Sequence, residues 1–369
     1  MSSPKILFVS CSVGTGHVRA AEALLSYSKI HHPEIEVEHI DVVDYLSPLA
    51  NFFYFRSYSL MAKYAPWLWG AIYRATQDTD GARVFNRLTK LNKKIGSQKF
   101  FRFVEKFQPD FILCTHFTPA DLLLNHARKF NITKNIGILL TDYAVHALHC
   151  ASPSEYFFVA TPEIKNDLIA IGADPKKISV SGIPIDQVFF EDKPLAPLQT
   201  TRNIDPKKPT IIFLSGGEGY AKIDEAIKIL FRSNRPFNIM AIAGKNIKLF
   251  NQLNSLIAPA SVNYIVKGWV ENIDEYLRLA DIVVTKPGGL TVTECLHLRK
   301  PMIIVDPVPG QEEDNLTYLQ KNNLGTKLKT PAELPDLVDQ ILRQPKKINP
   351  LPLPNPNQII LEKIVAILS

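Results

Sequence analysis

The 369-residue sequence has few cysteines and no long apolar run, and each shortage excludes a class of protein. Its four cysteines, Cys11, Cys114, Cys150 and Cys295, lie far apart without paired spacing. This argues against a zinc site or a disulfide framework and fits a reducing compartment. No segment approaches the roughly 18 uninterrupted apolar residues of a membrane-spanning helix. The amino terminus shows no basic leader followed by an apolar segment, so we expect no signal peptide. Together these features predict a cytoplasmic protein whose membrane contact is peripheral.

The overall composition is that of a soluble globular protein. Hydrophobic residues make up 46% of the chain and charged residues 21%, which is enough apolar mass for a substantial core. The formal net charge of +6 favours anionic partners only weakly. A chain of this length favours two domains over one.

Short apolar segments alternate with segments of helical periodicity through both halves of the chain. Strands are predicted at 5–11, 37–43, 111–116, 135–142, 155–161, 177–184, 210–219, 237–244, 262–269, 280–289 and 300–307. Such alternation predicts parallel sheets with helices on both faces. The expected fold is therefore α/β, with two doubly wound, Rossmann-like domains that face each other across a cleft. Ligands in such sheets bind at the carboxyl ends of the strands.

Stretches rich in proline and polar residues set the predicted domain boundaries. Residues 191–210 lack periodic apolar positions and are interpreted as a linker. It would join an amino-terminal domain, 1–190, to a carboxyl-terminal domain, 211–345. A second proline-rich stretch opens a tail that ends in a closing helix, 346–369.

Three glycine-rich loops follow predicted strands: SVGTGH (12–17), SGGEG (215–219) and KPGGLTVTE (286–294). Glycine lets the backbone approach an oxyanion closely, and a helix that begins there points free N–H groups at it. None of the loops matches the P-loop or the dinucleotide fingerprint. One such loop could equally be a tight turn without a ligand, but two in one domain favour an anion site.

Polar side chains beyond these loops suit a sugar nucleotide. Glu294 lies about one turn into the helix expected after Gly289. A carboxylate there can accept hydrogen bonds from two ribose hydroxyls, although the helix dipole alone also favours an acid near a helix start. The later segment PGQEEDN offers donors and acceptors for sugar hydroxyls in Gln311, Glu312 and Asn315. A polar loop needs no ligand, so this segment is suggestive only with the others.

Four segments together resemble the GT-B glycosyltransferases that make glycolipids: SCSVGTGHVRAAEAL, LLTDYAVH, VKGWVENIDEYLRLADIVVTKPGGLTVTECL and PVPGQEEDN. This family includes the monogalactosyldiacylglycerol synthases and the processive diacylglycerol glucosyltransferases. The likeness covers nearly the whole chain. It implies an inverting enzyme that moves a hexose, galactose or glucose, from a UDP-sugar to diacylglycerol, forming a monoglycosyldiacylglycerol.

The resemblance also implies that the carboxyl-terminal domain binds the UDP-hexose. The implied uracil contacts are Gly268, Trp269 and Val270, and the implied ribose contact is Glu294. The implied diphosphate contacts are Gly216, Gly217, Gly288, Gly289 and Leu290. The implied sugar contacts are Gln311, Glu312 and Asn315.

Acceptor activation is assigned to the amino-terminal domain. His17 ends the first glycine loop, where an imidazole could take the proton from the attacking hydroxyl; a histidine that only caps a helix is the alternative. The resemblance implies that Gly16, Asp142 and His146 lie beside or behind the acceptor.

We expect neither a metal nor a cofactor, with the UDP-sugar as a substrate. The donor half contains no Asp-x-Asp triplet to hold a divalent ion, and the chain's one such triplet, residues 78–80, falls in the other half. Helix dipoles and backbone N–H groups would then meet the charge of the leaving group.

Aromatic and basic residues concentrate in the first half. Residues 45–77 hold ten aromatics and no acid, and residues 83–106 hold eight basic residues and a single acid. This pattern suits an anionic membrane surface. The residues predicted to contact it are Phe52, Phe53, Phe55, Trp67 and Trp69. The alternatives are amphipathic helices packed on the core beneath a solvated basic face, or a single-stranded nucleic-acid face. No nucleic-acid motif accompanies the pattern, so no such partner is expected.

Three other functions stay open at this point. A transferase of the same fold could use a polyprenyl-linked acceptor instead of diacylglycerol. A UDP-sugar epimerase of the same fold would need no lipid and no aromatic segment. A membrane-binding protein with a vestigial nucleotide site would bind vesicles without transferring sugar.

Overall fold

Two parallel six-stranded sheets, each with its own helices, organise the protein, so the predicted α/β class is confirmed. The computed structural model describes residues 3–52, 61, 65–77, 81, 96–126, 135–149, 156–219, 221–233, 235–344 and 354–369.

The first sheet has the strand order β2-β1-β3-β4-β5-β6, and every neighbouring pair is parallel. Its strands are β1 (Lys5–Ser10), β2 (Glu36–Asp41), β3 (Phe111–Cys114), β4 (Asn135–Leu139), β5 (Tyr156–Val159) and β6 (Ile178–Val180). Consecutive residues Ile6, Leu7, Phe8 and Val9 are all fully buried. Both faces of β1 are therefore covered, which is why a parallel strand shows a continuous apolar run and no alternation.

Helices around the first sheet form where apolar residues recur every three or four positions. They are α1 (Thr15–His31), α2 (Pro48–Asn51), α3 (Pro66–Ala75), α4 (Gln98–Phe107), α5 (Phe117–His126) and α6 (Pro162–Ala170). In α1, for example, Ala20, Leu24 and Tyr27 are buried along one face.

The second sheet has the strand order β12-β11-β10-β7-β8-β9 and is also parallel throughout. Its strands are β7 (Thr210–Leu214), β8 (Asn238–Ile242), β9 (Asn263–Lys267), β10 (Ile282–Thr285), β11 (Met302–Ile304) and β12 (Gly325–Lys327). The sequence patterns predicted the first five of these strands. They missed β12, because its residues, Gly-Thr-Lys, carry no apolar run and pair only along the sheet edge with β11.

The remaining helices follow in chain order. They are α7 (Leu195–Thr201), α8 (Asp224–Arg232), α9 (Ile247–Asn254), α10 (Ile273–Leu279), α11 (Gly289–His297), α12 (Gln311–Lys321), α13 (Leu334–Arg343) and α14 (Pro356–Leu368). A buried cluster that includes Phe213, Ile227, Ile239 and Leu334 joins the second sheet to helices α8 and α13.

The chain divides into two compact units. One comprises residues up to Gln187 with Pro309–Gln311 and the carboxyl-terminal residues from Leu353, and the other comprises Val188–Val308 and Glu312–Pro352. The closing helix α14 belongs to the first unit because it packs against α1 and because Asn357 Nδ2 donates to the Ile185 carbonyl at 2.9 Å.

The predicted linker, 191–210, lies within the second unit and contains helix α7. Lys193 Nζ lies 2.7 Å from Asp274 Oδ2, and Arg202 pairs with Glu275. Proline is accepted at a helix start, where its missing N–H is not needed, so Pro194 at the N-cap and Pro197 in the first turn do not prevent the helix.

Candidate active site

The topology of the second sheet predicts where a ligand binds. From the central strand β7 the chain proceeds outward through β8 and β9, then crosses to β10 on the other side and continues to β11 and β12. Strands β7 and β10 are therefore the switch point, and ligands of such sheets bind beyond the carboxyl ends of the strands there. The glycine loops at 215–219 and 286–294 follow these two strands.

The loops after β7, β8 and β9 pack against one another at this edge. Gly244, which follows β8, has φ +62°, and a Cβ added there would lie 2.5 Å from the carbonyl oxygens of Gly216 and Gly217. A Cβ on Gly268, after β9, would lie 3.8 Å from the Gly244 carbonyl oxygen. The structure thus brings together Gly216, Gly217 and Gly268, all implied donor contacts. Sequence analysis missed Gly244, although its signal, a glycine directly after a strand, was the same.

Beside Gly268, the Trp269 side chain is 43% exposed. The Lys245 ammonium lies 5.0 Å from the centre of its indole ring. Val270 is half-buried. The arrangement leaves an exposed aromatic face next to the backbone that is expected to meet uracil, and that contact stays a prediction.

Helix α11 begins at the other side of the switch point. Its N-cap, Gly288, makes no side-chain capping hydrogen bond, and apart from Gly288 and the adjoining chain, no atom of the described residues lies within 4 Å of a Cβ added there. The next two residues, Gly289 and Leu290, are buried. An uncapped helix start that borders open space presents N–H groups and the positive end of the helix dipole to an anion.

Glu294 is only 6% exposed and lies within α11, as the spacing from Gly289 predicted. Burial, and secondarily this carboxylate, raise the pKa of the neighbouring Cys295 thiol, so the cysteine is an inert thiol at neutral pH. The contact of Glu294 with a ribose stays a prediction.

The polar segment after β11 holds the donor loops in place. Glu312 accepts from the Lys286 ammonium at 2.6 Å and, through its other oxygen, from the Val308 N–H at 2.9 Å. Asn315 is fully buried and donates to the Pro287 carbonyl at 2.9 Å. Gln311 begins α12 and is half-buried. These three residues were expected to bind the sugar; two of them support the turn that precedes α11, and sugar contact stays a prediction for all three.

The first sheet has its own switch point between β1 and β3, because β2 lies on one side of β1 and β3 on the other. The first glycine loop follows β1. Its Gly14 adopts φ +92°, which favours glycine, and caps α1 without a side-chain hydrogen bond. Gly16 and His17 lie in the first turn of α1. The sequence-predicted base thus lies at the carboxyl edge of the sheet.

Two hydrogen-bond partners fix the orientation of the His17 ring. Its Nδ1 lies 2.7 Å from the Thr115 carbonyl oxygen and 2.9 Å from Thr141 Oγ1. A carbonyl oxygen can only accept, so Nδ1 carries the ring hydrogen. The lone pair is then on Nε2, which is the atom that can take a proton. Thr115 and Thr141 were not predicted as site residues.

Burial lowers the pKa of His17 below its ordinary value, although the Asp142 carboxylate and the Thr115 hydrogen bond act in the opposite direction. The ring is therefore neutral near pH 7, as a general base must be. Asp142, implied to lie behind the acceptor, acts on His17 through its charge.

Two further histidines lie near His17. The His116 ring stands nearly perpendicular to it with centroids 4.8 Å apart, and His116 Nδ1 accepts from the Thr118 N–H at 3.2 Å. Burial, followed by the charges of His17 and His149, lowers the pKa of His116 well below its usual range. Burial lowers the pKa of His149 to about 3. Both rings are thus neutral, and neither competes with His17 for a proton at neutral pH.

His146 links this region to α3. It is buried, its Nε2 lies 3.1 Å from the Tyr73 carbonyl oxygen, and its Nδ1 accepts from the Leu148 N–H at 3.2 Å. With both nitrogens engaged, His146 supports the loop that carries Thr141 and Asp142.

The described part of the aromatic segment exposes some of its rings. Trp67 is 71% exposed and Phe52 47% exposed, whereas Trp69 is half-buried against Tyr73. Phe53 and Phe55 lie outside the described residues, as do residues 78–80. Among the described residues, no helix is long and apolar enough to cross a bilayer.

Helix α4, in the basic segment, has two different faces. Phe100, Phe101 and Val104 are buried, and Lys99 and Arg102 are exposed. For this helix, the interpretation as an amphipathic helix packed on the core beneath a basic face is correct.

Comparisons with known proteins agree with this architecture. The family model for monogalactosyldiacylglycerol (MGDG) synthase matches residues 17–185, and the model for the glycosyltransferase family 28 C-terminal domain matches residues 210–355. A processive diacylglycerol beta-glucosyltransferase of Bacillus subtilis (strain 168) is 27% identical over 378 residues, covering 99% of this chain and 95% of the relative.

Two solved structures share the fold. MurG of Acinetobacter baumannii aligns with a TM-score of 0.60 at 16% identity over 98% of this chain and 99% of that one. A UDP-GlcNAc 2-epimerase of Neisseria meningitidis bound to UDP-GlcNAc aligns with a TM-score of 0.58 at 16% identity, again over 98% of this chain and all of that one (100%).

The two parallel sheets, each with a glycine loop at its switch point, together with the family models and the full-length relative, define a glycosyltransferase of the GT-B fold. Within that class, the chain is similar to the glycolipid glycosyltransferases, namely the monogalactosyldiacylglycerol synthases over residues 17–185 and a processive diacylglycerol beta-glucosyltransferase over nearly its whole length.

Proposed function

We propose that the protein transfers a hexose from a UDP-sugar to the free hydroxyl of diacylglycerol and forms a monoglycosyldiacylglycerol. The observation that carries this proposal is the His17 site. A neutral imidazole, with its hydrogen fixed on Nδ1 by the Thr115 carbonyl, leaves Nε2 as a base. A hydroxyl acceptor requires such a base.

The second unit supplies the donor site in this proposal. The diphosphate binds to the backbone of the loops after β7 and β10, at the switch point and at the start of α11. Uracil binds beside Gly268 and Trp269, and Glu294 accepts from the ribose hydroxyls. The reaction uses no cofactor.

The chemistry is a direct displacement. A lone pair of the acceptor oxygen forms the new bond to the anomeric carbon, the bond from that carbon to the diphosphate oxygen breaks, and its electron pair leaves with UDP. The hydroxyl proton passes to His17 Nε2. Attack opposite the leaving group inverts the anomeric centre.

A lipid acceptor fits the exposed aromatic side chains of the first unit. Trp67 on α3 is the most exposed of the described tryptophans, and aromatic rings of this kind bind at the membrane–water interface. The proposed place of reaction is the cytoplasmic leaflet of an anionic membrane, where the protein binds peripherally. Nucleic acid has no part in the proposal.

The other enzymatic functions are weaker on specific grounds. The likeness to the UDP-GlcNAc 2-epimerase is one of fold. The Bacillus subtilis relative, which matches nearly the whole chain in sequence, is named a processive diacylglycerol beta-glucosyltransferase. That name makes UDP-glucose the first donor to test, with UDP-galactose second. A transferase that uses a polyprenyl-linked acceptor would differ from the proposed enzyme only in its acceptor lipid. The transfer assay distinguishes these two functions.

The test is transfer from radiolabelled UDP-glucose or UDP-galactose to vesicles that contain diacylglycerol or a lipid-linked sugar, with products identified by thin-layer chromatography. We expect a labelled monoglycosyldiacylglycerol. His17→Ala should abolish transfer and keep UDP binding, and His31→Ala, at the exposed far end of α1, should behave like the unmodified protein. Label on the lipid-linked sugar alone, or conversion of the UDP-sugar without lipid, would overturn the proposal.

A further inference from the structure

Lys286 is a cation at the donor site to which the sequence patterns gave no role. We propose that its ammonium binds the diphosphate of the nucleotide sugar, and that Glu312 holds the ammonium in position. This inference rests on the proposed function, because it names the group that meets the charge of the UDP leaving group.

The first argument is position. Lys286 directly follows β10, one of the two switch-point strands, and opens the turn that leads into α11. Its side chain reaches the loop after β7, the other switch-point strand. A Cβ added to Gly216 would lie 2.7 Å from Lys286 Cε and 3.8 Å from its Nζ. The ammonium therefore lies beside both glycine turns that are implied to bind the diphosphate.

The second argument is how the ammonium is held. Glu312 Oε1 accepts from Lys286 Nζ at 2.6 Å, while Oε2 accepts from the Val308 N–H at 2.9 Å. The two side chains are 19% and 15% exposed, so solvent screens this pair less than a surface pair. Because the Val308 N–H fixes the carboxylate, the carboxylate in turn fixes the lysine.

The third argument is the count of donors. An ammonium has three N–H donors and no acceptor. Among the described residues, Glu312 is the only hydrogen-bond partner of the Lys286 ammonium. Two donors thus remain for an anion, and charge-assisted bonds to phosphate oxygens are the stronger kind of hydrogen bond.

The charges also favour this role. A UDP leaving group develops negative charge as the bond to the sugar breaks, and a fixed positive charge nearby stabilises that state. The uncapped start of α11 contributes only a partial charge. The Lys286 ammonium adds charge-assisted donors at the same loops, its charge being partly offset by the Glu312 carboxylate. Glu312, expected to bind the sugar, acts through Lys286 as a positioning residue.

Calorimetry with UDP and UMP tests the lysine. Lys286→Gln should weaken UDP binding about 10- to 100-fold, the range for losing a charge-assisted hydrogen bond, and should reduce the preference for UDP over UMP. Lys286→Arg keeps the charge and should lose less. The matched control is Lys228→Gln, which breaks an ion pair with Asp224 of 3.1 Å in the same unit and should leave the affinity unchanged.

Chemical labelling of the unmodified protein gives a second test that does not depend on the folding of a variant. Reductive methylation followed by mass spectrometry should show that UDP protects Lys286 and leaves Lys228 unprotected. In Glu312→Gln, Lys286 should be methylated faster without UDP and still be protected by it, whereas a purely structural glutamate would not change this rate selectively.

The outcomes are separable. UDP affinity of Lys286→Gln within twofold of the unmodified protein, or labelling of Lys286 that UDP does not change, would overturn this inference and leave the transferase proposal standing. Absence of UDP binding by the unmodified protein would instead remove the proposed function itself.

Discussion

Replacement of Gly288 by alanine separates ligand binding from folding at the donor site. Gly288 has an ordinary backbone conformation, with φ −69° and ψ 136°, which alanine adopts without strain. Apart from Gly288 and the adjoining chain, no atom of the described residues lies within 4 Å of the position of the new methyl group. The protein itself therefore accommodates the change, and only a ligand that occupies this space would be displaced.

The expected magnitudes follow from this geometry. Glycine is a better N-cap than alanine, so the variant should lose at most about 1 kcal/mol of unfolding free energy. If a phosphate oxygen approaches the start of α11 as proposed, the methyl group occupies its path. We then expect UDP affinity to fall at least about tenfold, which corresponds to about 1.4 kcal/mol.

Gly244→Ala is the contrasting variant. Its φ of +62° costs a non-glycine residue about 1–3 kcal/mol, and the new Cβ would lie 2.5 Å from two carbonyl oxygens. We expect a large loss of stability as well as of UDP binding. Denaturant unfolding and calorimetry on both variants measure the two quantities. If Gly288→Ala binds UDP as tightly as the unmodified protein, the diphosphate does not lie at the start of α11 and the argument fails.

Three further predictions concern the first unit. Asp142→Asn removes a charge that raises the pKa of His17, so the acidic limb of the kcat/KM profile should move to lower pH; an unmoved limb would contradict the electrostatic link. His149 stays neutral in the fold down to a pKa of about 3, while the unfolded chain takes up a proton below about pH 6.5; this lowers stability by about 2 kcal/mol between pH 7 and pH 5. Denaturant unfolding at pH 7 and pH 5 should show that His149→Asn loses about 2 kcal/mol less unfolding free energy over this range than the unmodified protein. An equal loss in the two proteins would refute the low pKa assigned to His149. Trp67→Ala should weaken binding to anionic vesicles more than Trp69→Ala does, because Trp67 is exposed and Trp69 packs on Tyr73. Vesicle sedimentation measures this affinity, and calorimetry with UDP is the control for folding. Equal vesicle affinities of the two variants would refute the membrane role of Trp67.

The fold could be predicted from the sequence because its signals are local. An apolar run such as Ile6 to Val9, followed by a glycine loop and a helical pattern, specifies one strand–helix unit without information from elsewhere. The positions of the glycine loops followed in the same way, since every parallel strand ends at the same edge. Strand β12 was missed because a three-residue edge strand carries no such signal.

Side-chain roles within the loops were harder to predict, because they depend on partners distant in sequence. Lys286 and Glu312 are 26 residues apart, and Asn315 is 28 residues from the carbonyl that it binds. His17 finds Thr115 and Thr141 at separations of 98 and 124 residues. A pattern can nominate a polar residue for a site, but only these contacts reveal whether its hydrogen-bonding capacity is already used by the protein.

That distinction gives the two histidines of the resemblance different roles. Both ring nitrogens of His146 form hydrogen bonds within the protein. Among the described residues, His17 forms hydrogen bonds only through Nδ1, and one of them is to a carbonyl that fixes the tautomer. The same reasoning separates Asn315, fully buried with its amide on the Pro287 carbonyl, from Lys286, whose ammonium keeps two donors beyond Glu312 among the described residues. Unused hydrogen-bonding capacity at a switch point is therefore the feature that marks a group able to act on a ligand. Within the described part of the chain, it selects His17 as a base in the first unit and Lys286 as a cation in the second.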